Sequence, residues 1–120
     1  MTMNKENEFI LKLTKETLRK NIEWTDKQNK GLVFPHEERA TSKLYLTTIG
    51  KKKFRIYEFE YKHYINEDES LWDQRVRFEM IDSNEEKIYE FGYNYSLNDL
   101  FNAVTKSNSG VDEFLDKFLK

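Results

Sequence analysis

Two histidines, a pair of glutamates two residues apart, a lysine triplet and a run of acids are the groups in this 120-residue chain whose types could do chemistry. His36 precedes Glu37 and Glu38, but adjacent residues do not present a metal-binding face as an i, i+4 pair on a helix does. His63 lies near Glu67, Asp68 and Glu69, in a loop that lacks the glycine and the oxygen-ligand spacing of an EF-hand. With no cysteine there is no thiolate zinc site, thiol nucleophile or disulfide. No serine sits in a G-x-S-x-G elbow and no glycine-rich loop could cradle a phosphate. Glu58 and Glu60 share a strand face, as two catalytic carboxylates would, yet arginines are expected opposite them, so charge pairing explains them. The expectation is a non-enzyme without metal or cofactor.

Lys51-Lys52-Lys53, with Arg55 following, marks a hairpin tip. Such a tip could touch phosphate, which makes nucleic-acid binding the alternative function. Turn lysines also keep a hairpin soluble and discourage edge pairing, and no broad basic face accompanies these.

The elements that position these residues centre on two alternating segments, Phe54–Tyr64 and Leu71–Asp82. In the first, Tyr57, Phe59 and Tyr61 alternate with Glu58, Glu60 and Lys62; in the second, Trp72, Val76, Phe78 and Met80 alternate with Asp73, Arg75, Arg77 and Glu79. Alternation of this kind marks half-buried strands. Matching the apolar sets pairs Phe59 with Val76 and Tyr57 with Phe78. It also sets Lys62 against Asp73, Glu60 against Arg75 and Glu58 against Arg77. Across Ser83–Glu86, Met80 is expected to meet Tyr89, Phe78 to meet Phe91 and Val76 to meet Tyr93. Across Gly50–Lys53, Leu46 is expected to meet Tyr57 and Leu44 to meet Phe59. The outcome is a four-stranded antiparallel meander with one aromatic-aliphatic face.

The helices follow from capping and periodicity. Asn4 is an N-cap with Glu6 and Glu8 in the first turn, and Phe9, Ile10, Leu13, Thr17, Leu18 and Ile22 form an apolar stripe. Ser96-Leu97-Asn98-Asp99 has the form of a capping box with a Tyr95–Leu100 staple, and Gly110 separates two C-terminal helices. Phe114, Leu115, Phe118 and Leu119 of the last must pack on the body for so short a helix to persist. The expected fold class is α+β in the order α-β-β-β-β-α-α. It forms a single domain over 1–120, with a helix at 4–24, a connector at 25–42, a sheet at 43–95 and helices at 97–107 and 111–119. Within the connector, Leu32-Val33-Phe34, stopped by Pro35, could form a short edge strand or an arm under the core, and a tethered loop is the expectation.

Net charge is −2, with 35% of residues charged. The chain has no long apolar run and a polar N-terminus, so a cytoplasmic protein without membrane contact is expected. On the outer sheet face the same registers place Ile49, Phe54, Ile81 and Ile88 in a row, flanked by Ile56 and rimmed by Glu58, Arg77 and Glu79. A rimmed apolar patch suits a protein partner, with a second copy of the chain as one candidate. The function expected first is therefore a small docking domain of the inhibitor, immunity or adaptor kind. A weaker option is a small-molecule pocket lined by Tyr57, Tyr61, Tyr89 and Tyr93, whose hydroxyls would need partners if buried.

Overall fold

A computed structural model describes residues 4–28, 38–41 and 43–120. His36 and the Leu32–Phe34 segment lie outside the described residues. The elements run α1 (Lys5–Leu18), β1 (Thr25–Lys27), β2 (Glu38–Ala40), β3 (Leu44–Ile49), β4 (Lys52–Tyr64), β5 (Ser70–Ile81), β6 (Lys87–Glu90), α2 (Tyr95–Ser109) and α3 (Val111–Phe118). The α+β class and the order of the long elements are as the sequence indicates. The sheet is antiparallel and larger than four strands: its order is β1-β3-β4-β5-β6, and β2 pairs with β4. β3 pairs with β4 over Lys52–Ile56 and β2 with β4 over Phe59–Tyr61, so these two short strands lie alongside successive parts of one long strand.

Asn4 caps α1, accepting from the Asn7 N–H at 2.8 Å. The helix stops at Leu18, six residues before the expected end. Lys20 adopts φ 67, its N–H reaches the Thr17 carbonyl at 3.1 Å, and the Asn21 N–H reaches the Glu16 carbonyl at 2.9 Å. This 6→1, 5→2 closure usually uses glycine; with lysine in that place the stop is hidden in the sequence. Trp24 then folds back, and its Nε1–H donates to Thr17 Oγ1 at 3.1 Å. α2 begins two residues earlier than expected, capped by Asn94 rather than Ser96, and Tyr95 is 83% exposed, so no staple forms. Gly110, at φ 72, ends α2 and starts α3.

The decisive departure is the β4–β5 register. The strands pair as Ile56↔Phe78, Tyr57↔Arg77, Glu58↔Val76 and Phe59↔Arg75, one residue away from the expected alignment. Because side chains alternate with period two, a one-residue slip exchanges the faces of one strand relative to the other. Phe59 and Phe78 therefore point to opposite sides. Five residues, Ile65–Glu69, separate the last pair Tyr64↔Ser70. The Asn66 side chain accepts from the N–H groups of Asp68 and Glu69 at 2.9 Å each, and the Ile65 N–H donates to the Glu69 carbonyl at 3.0 Å. That local closure sets the parity. β5–β6 pairs as expected at Met80↔Tyr89, with a bulge between Met80 and Ile81. β3–β4 is shifted by two residues, which preserves its faces.

Two apolar clusters result. Under α1 and α2, Ile10, Leu13, Leu97, Leu100 and Val104 meet Tyr45, Phe54, Ile56, Val76, Phe78 and Phe91. Within this cluster Phe78 stacks on Phe91 at 4.7 Å and on Phe54 at 5.6 Å, and Phe9 covers Phe54 at 5.5 Å. On the other face Leu44, Tyr57 and Phe59 form a second cluster with Leu46 and Tyr61. β4 thus contributes apolar side chains to both sides.

Candidate docking surfaces

The expected outer row does not form. Phe54 and Ile56 are 5% and 0% exposed beneath the helices, and Ile49 packs against the same cluster. The register puts both on the side of Phe78, and so withdraws them from any partner. Ile81 is buried and Ile88 is 56% exposed, and both line a depression of about 460 Å³ beside Lys51, Lys52 and Lys53.

The expected rim charges are tied into the fold. Arg55 Nε donates to Glu79 Oε1 at 2.6 Å, with 10% and 3% of the two side chains exposed, and Arg55 Nη1 donates to the Glu85 carbonyl at 2.9 Å. Opposite charges stand directly across the ladder here (Arg55↔Glu79), which the one-residue slip had concealed. Arg77 donates to both Glu38 carboxylate oxygens at 3.1 and 3.3 Å and to the Tyr57 hydroxyl at 3.4 Å, and lies 4.0 Å over the Phe59 ring. Burial alone would lower the Arg77 guanidinium, but these hydrogen bonds hold it above its ordinary value. Burial pushes the Tyr57 hydroxyl up to about 12. Glu58 accepts from Thr41 Oγ1 at 3.0 Å. Glu60 is held below the usual carboxylate range chiefly by its hydrogen bond from Arg39, whose Nε lies 2.7 Å away. None of the three expected charge pairs of the central hairpin stands directly opposite.

The lysine tip also changes. Arg55 is buried in its pair with Glu79 and cannot join a phosphate-binding surface. Lys53 lies 3.9 Å from Glu85, which is lowered first by its hydrogen bond from Lys27. Lys51 and Lys52 stay exposed. The four tyrosines do not share an interior. Tyr57 and Tyr61 belong to the second cluster, Tyr89 lies with Met80 on the helix side at 46% exposure, and Tyr93 is 40% exposed. His63 pairs with Leu71 rather than Trp72 and is exposed. Among the described residues no group of three His, Cys, Asp or Glu side chains could hold a metal ion, and no helix is long and apolar enough to cross a membrane.

Two apolar surfaces appear that the alternation pattern did not show. One is α3 with its C-cap Leu119, where Phe114, Leu115, Phe118 and Leu119 are 63%, 43%, 74% and 77% exposed and none of the helix's residues is buried. These side chains project from the body instead of packing on it as expected, and Phe114 and Phe118 stack on each other at 6.0 Å. The other is the far end of the β4–β5 hairpin, where Tyr64, Ile65, Leu71 and Trp72 are between 43% and 60% exposed. The Arg39 guanidinium lies 3.9 Å over the Trp72 ring. Strand length was the available signal. β4 and β5 run 13 and 12 residues, further than two helices packed side by side can cover. Comparison with known protein families, with characterised proteins and with solved structures finds no match to this chain.

Proposed function

We propose that this chain is a non-enzymatic docking domain that occupies the surface of a partner protein, in the manner of an inhibitor, immunity protein or adaptor. Its principal contact is the apolar face of α3. The observation that carries this is the exposure of Phe114, Leu115 and Phe118 on an eight-residue helix with no buried residue, and of Leu119 at its C-cap. A helix so short is marginal without tertiary packing, and a partner groove would supply that packing.

The fitting partner offers an apolar groove that takes side chains at helical spacing. On α3, Asp112 and Asp116 border the strip on one side and Lys117 on the other. The groove therefore carries a basic group along the first border and an acidic one along the second. A protein that acts by contact fits the way Glu58, Glu60 and Glu79 are each engaged by neighbouring side chains. A cytoplasmic setting belongs to the same proposal and is supported by the cysteine-free composition.

The test compares capture by the wild-type chain with capture by Phe114→Ser/Phe118→Ser, from an extract of the native host. Both positions are exposed, so thermal unfolding of the two should agree within about 0.5 kcal/mol. A protein retained by wild type and lost with the variant supports docking through α3; identical capture contradicts it.

A further inference from the structure

From the placement of charge and apolar surface at the two ends of β4, we infer that the chain associates head to tail with a second copy of itself. The far end of the β4–β5 hairpin seats in the lysine-lined depression at the opposite end of the same strand. This surface is separate from α3 and stands or falls independently of the α3 proposal.

The two ends are far apart and of opposite character. Thirteen residues of strand at about 3.3 Å each place them roughly 40 Å from one another. Residues 62–73 contain one base, Lys62, and four acids, Glu67, Asp68, Glu69 and Asp73, for a local charge of −3. The whole chain is −2, so everything outside this stretch sums to +1. A second stretch of charge −3, Asp82 to Glu86, lies beside the depression, where Lys27, Lys51, Lys52 and Lys53 outnumber it; the hairpin tip has no such excess of bases. Among the described residues, Glu67, Asp68 and Glu69 make no side-chain hydrogen bond or ion pair, and all three are exposed. The Asn66 side chain fixes the turn that carries them, so little order has to be imposed on binding. Beside them Ile65 and Leu71 are 56% and 60% exposed.

At the other end, the depression of about 460 Å³ is lined by Lys51, Lys52 and Lys53 with Ile81 and Ile88. Asp82 also lines it, but its carboxylate is engaged by the N–H groups of Asn84 and Glu86 at 2.8 and 3.0 Å. Glu85 nearby is held by Lys27 at 2.8 Å. Lys51 and Lys52 are exposed and make no ion pair among the described residues. An isoleucine with three carboxylates around it thus has a counterpart on the same chain: isoleucines with lysines around them. Because both surfaces lie at extremities, neither is screened by the body. The two are different surfaces, so the contact is heterologous and propagates as an open chain, or closes as a ring if the rotation allows. A contact of hairpin-tip size lies below the area of stable interfaces. The association is therefore weak, rapid and salt-dependent.

Sedimentation velocity across a concentration series, at about 20 mM and about 500 mM salt, reads it directly. Expected is a mass that rises with concentration at low salt and a dissociation constant at least tenfold weaker at high salt. Two variants carry the discrimination: Glu67→Lys/Asp68→Lys/Glu69→Lys at the tip and Lys51→Glu/Lys52→Glu at the depression. Each alone should be monomeric, since its two ends then carry like charges, while the equimolar mixture should associate again. All five positions are exposed, and matching far-ultraviolet spectra would establish that both variants are folded. A wild-type chain monomeric at every concentration overturns the inference. So does a mixture that stays monomeric, or an association insensitive to salt and abolished by Phe114→Ser/Phe118→Ser, which would place the self-contact on α3.

Discussion

In the first half of β4 four consecutive side chains, Phe54 to Tyr57, are buried, whereas at the far end of the same ladder Tyr64, Ile65, Leu71 and Trp72 stand at least 43% exposed. Both ends pair with β5, but β3 and β2 border the other edge of β4 only as far as Tyr61, so part of the difference is a missing neighbour strand. The rest lies in what covers the ladder. α1 and α2 cover the first half on the Phe78 side, and Arg55, Glu79 and Tyr57 close the opposite side with a paired charge and a phenol. At the far end Arg39 over Trp72 and the Arg39–Glu60 pair are surface interactions. One half of the hairpin holds the fold, and the other displays its apolar side chains to solvent.

The contrast is sharpened most by truncation in the two halves. Phe78→Ala empties a site of 0% exposure between Phe54 and Phe91 and should cost about 3–5 kcal/mol in denaturant unfolding. Leu71→Ala, seven residues earlier on the same strand, should cost under about 0.5 kcal/mol; comparable losses would erase the distinction. Next come the two ion pairs. Glu79→Gln leaves Arg55 buried without its carboxylate and should cost about 3 kcal/mol. Glu60→Gln, facing the half-exposed Arg39, should cost under about 1 kcal/mol. Equal effects would mean that the Arg55–Glu79 pair is solvated after all.

A smaller effect appears at alkaline pH. Burial raises the Tyr57 hydroxyl to about 12, above the ordinary value near 10, so the folded state retains this proton after the unfolded chain has lost it. The associated stability is complete below about pH 10 and is lost as pH rises toward 12, by about 2–3 kcal/mol in all. Wild-type stability should therefore fall more steeply than that of Tyr57→Phe between pH 10 and 12, and parallel curves would show that Tyr57 titrates in the open.

Much of the fold was legible in the sequence. The class, the Asn4 cap, the β5–β6 pairing and the Gly110 break all rest on local signals that residues state directly. The β4–β5 register was not legible, because β4 carries apolar residues of both parities. Matching Tyr57 and Phe59 to the Val76–Phe78 set satisfied the pattern as well as matching Phe54 and Ile56 did. The turn decides between these, and its parity depends on the Asn66 side chain accepting from two backbone N–H groups. The docking row of Ile49, Phe54, Ile81 and Ile88 failed with that register. The exposed face of α3 was equally hidden: its residues have the periodicity of a packed helix, and only the position of Gly110 and the direction of the helix after it leave them in solvent.

Nuclear Overhauser contacts between α-protons across β4 and β5 test most directly which apolar residues form the core and which are displayed. The structure requires close α-proton pairs between Ile56 and Phe78 and between Glu58 and Val76, both facing pairs of the ladder. Contacts between Tyr57 and Phe78 and between Phe59 and Val76 instead would contradict it, returning Phe54 to the outer face and reversing the assignment of core and surface.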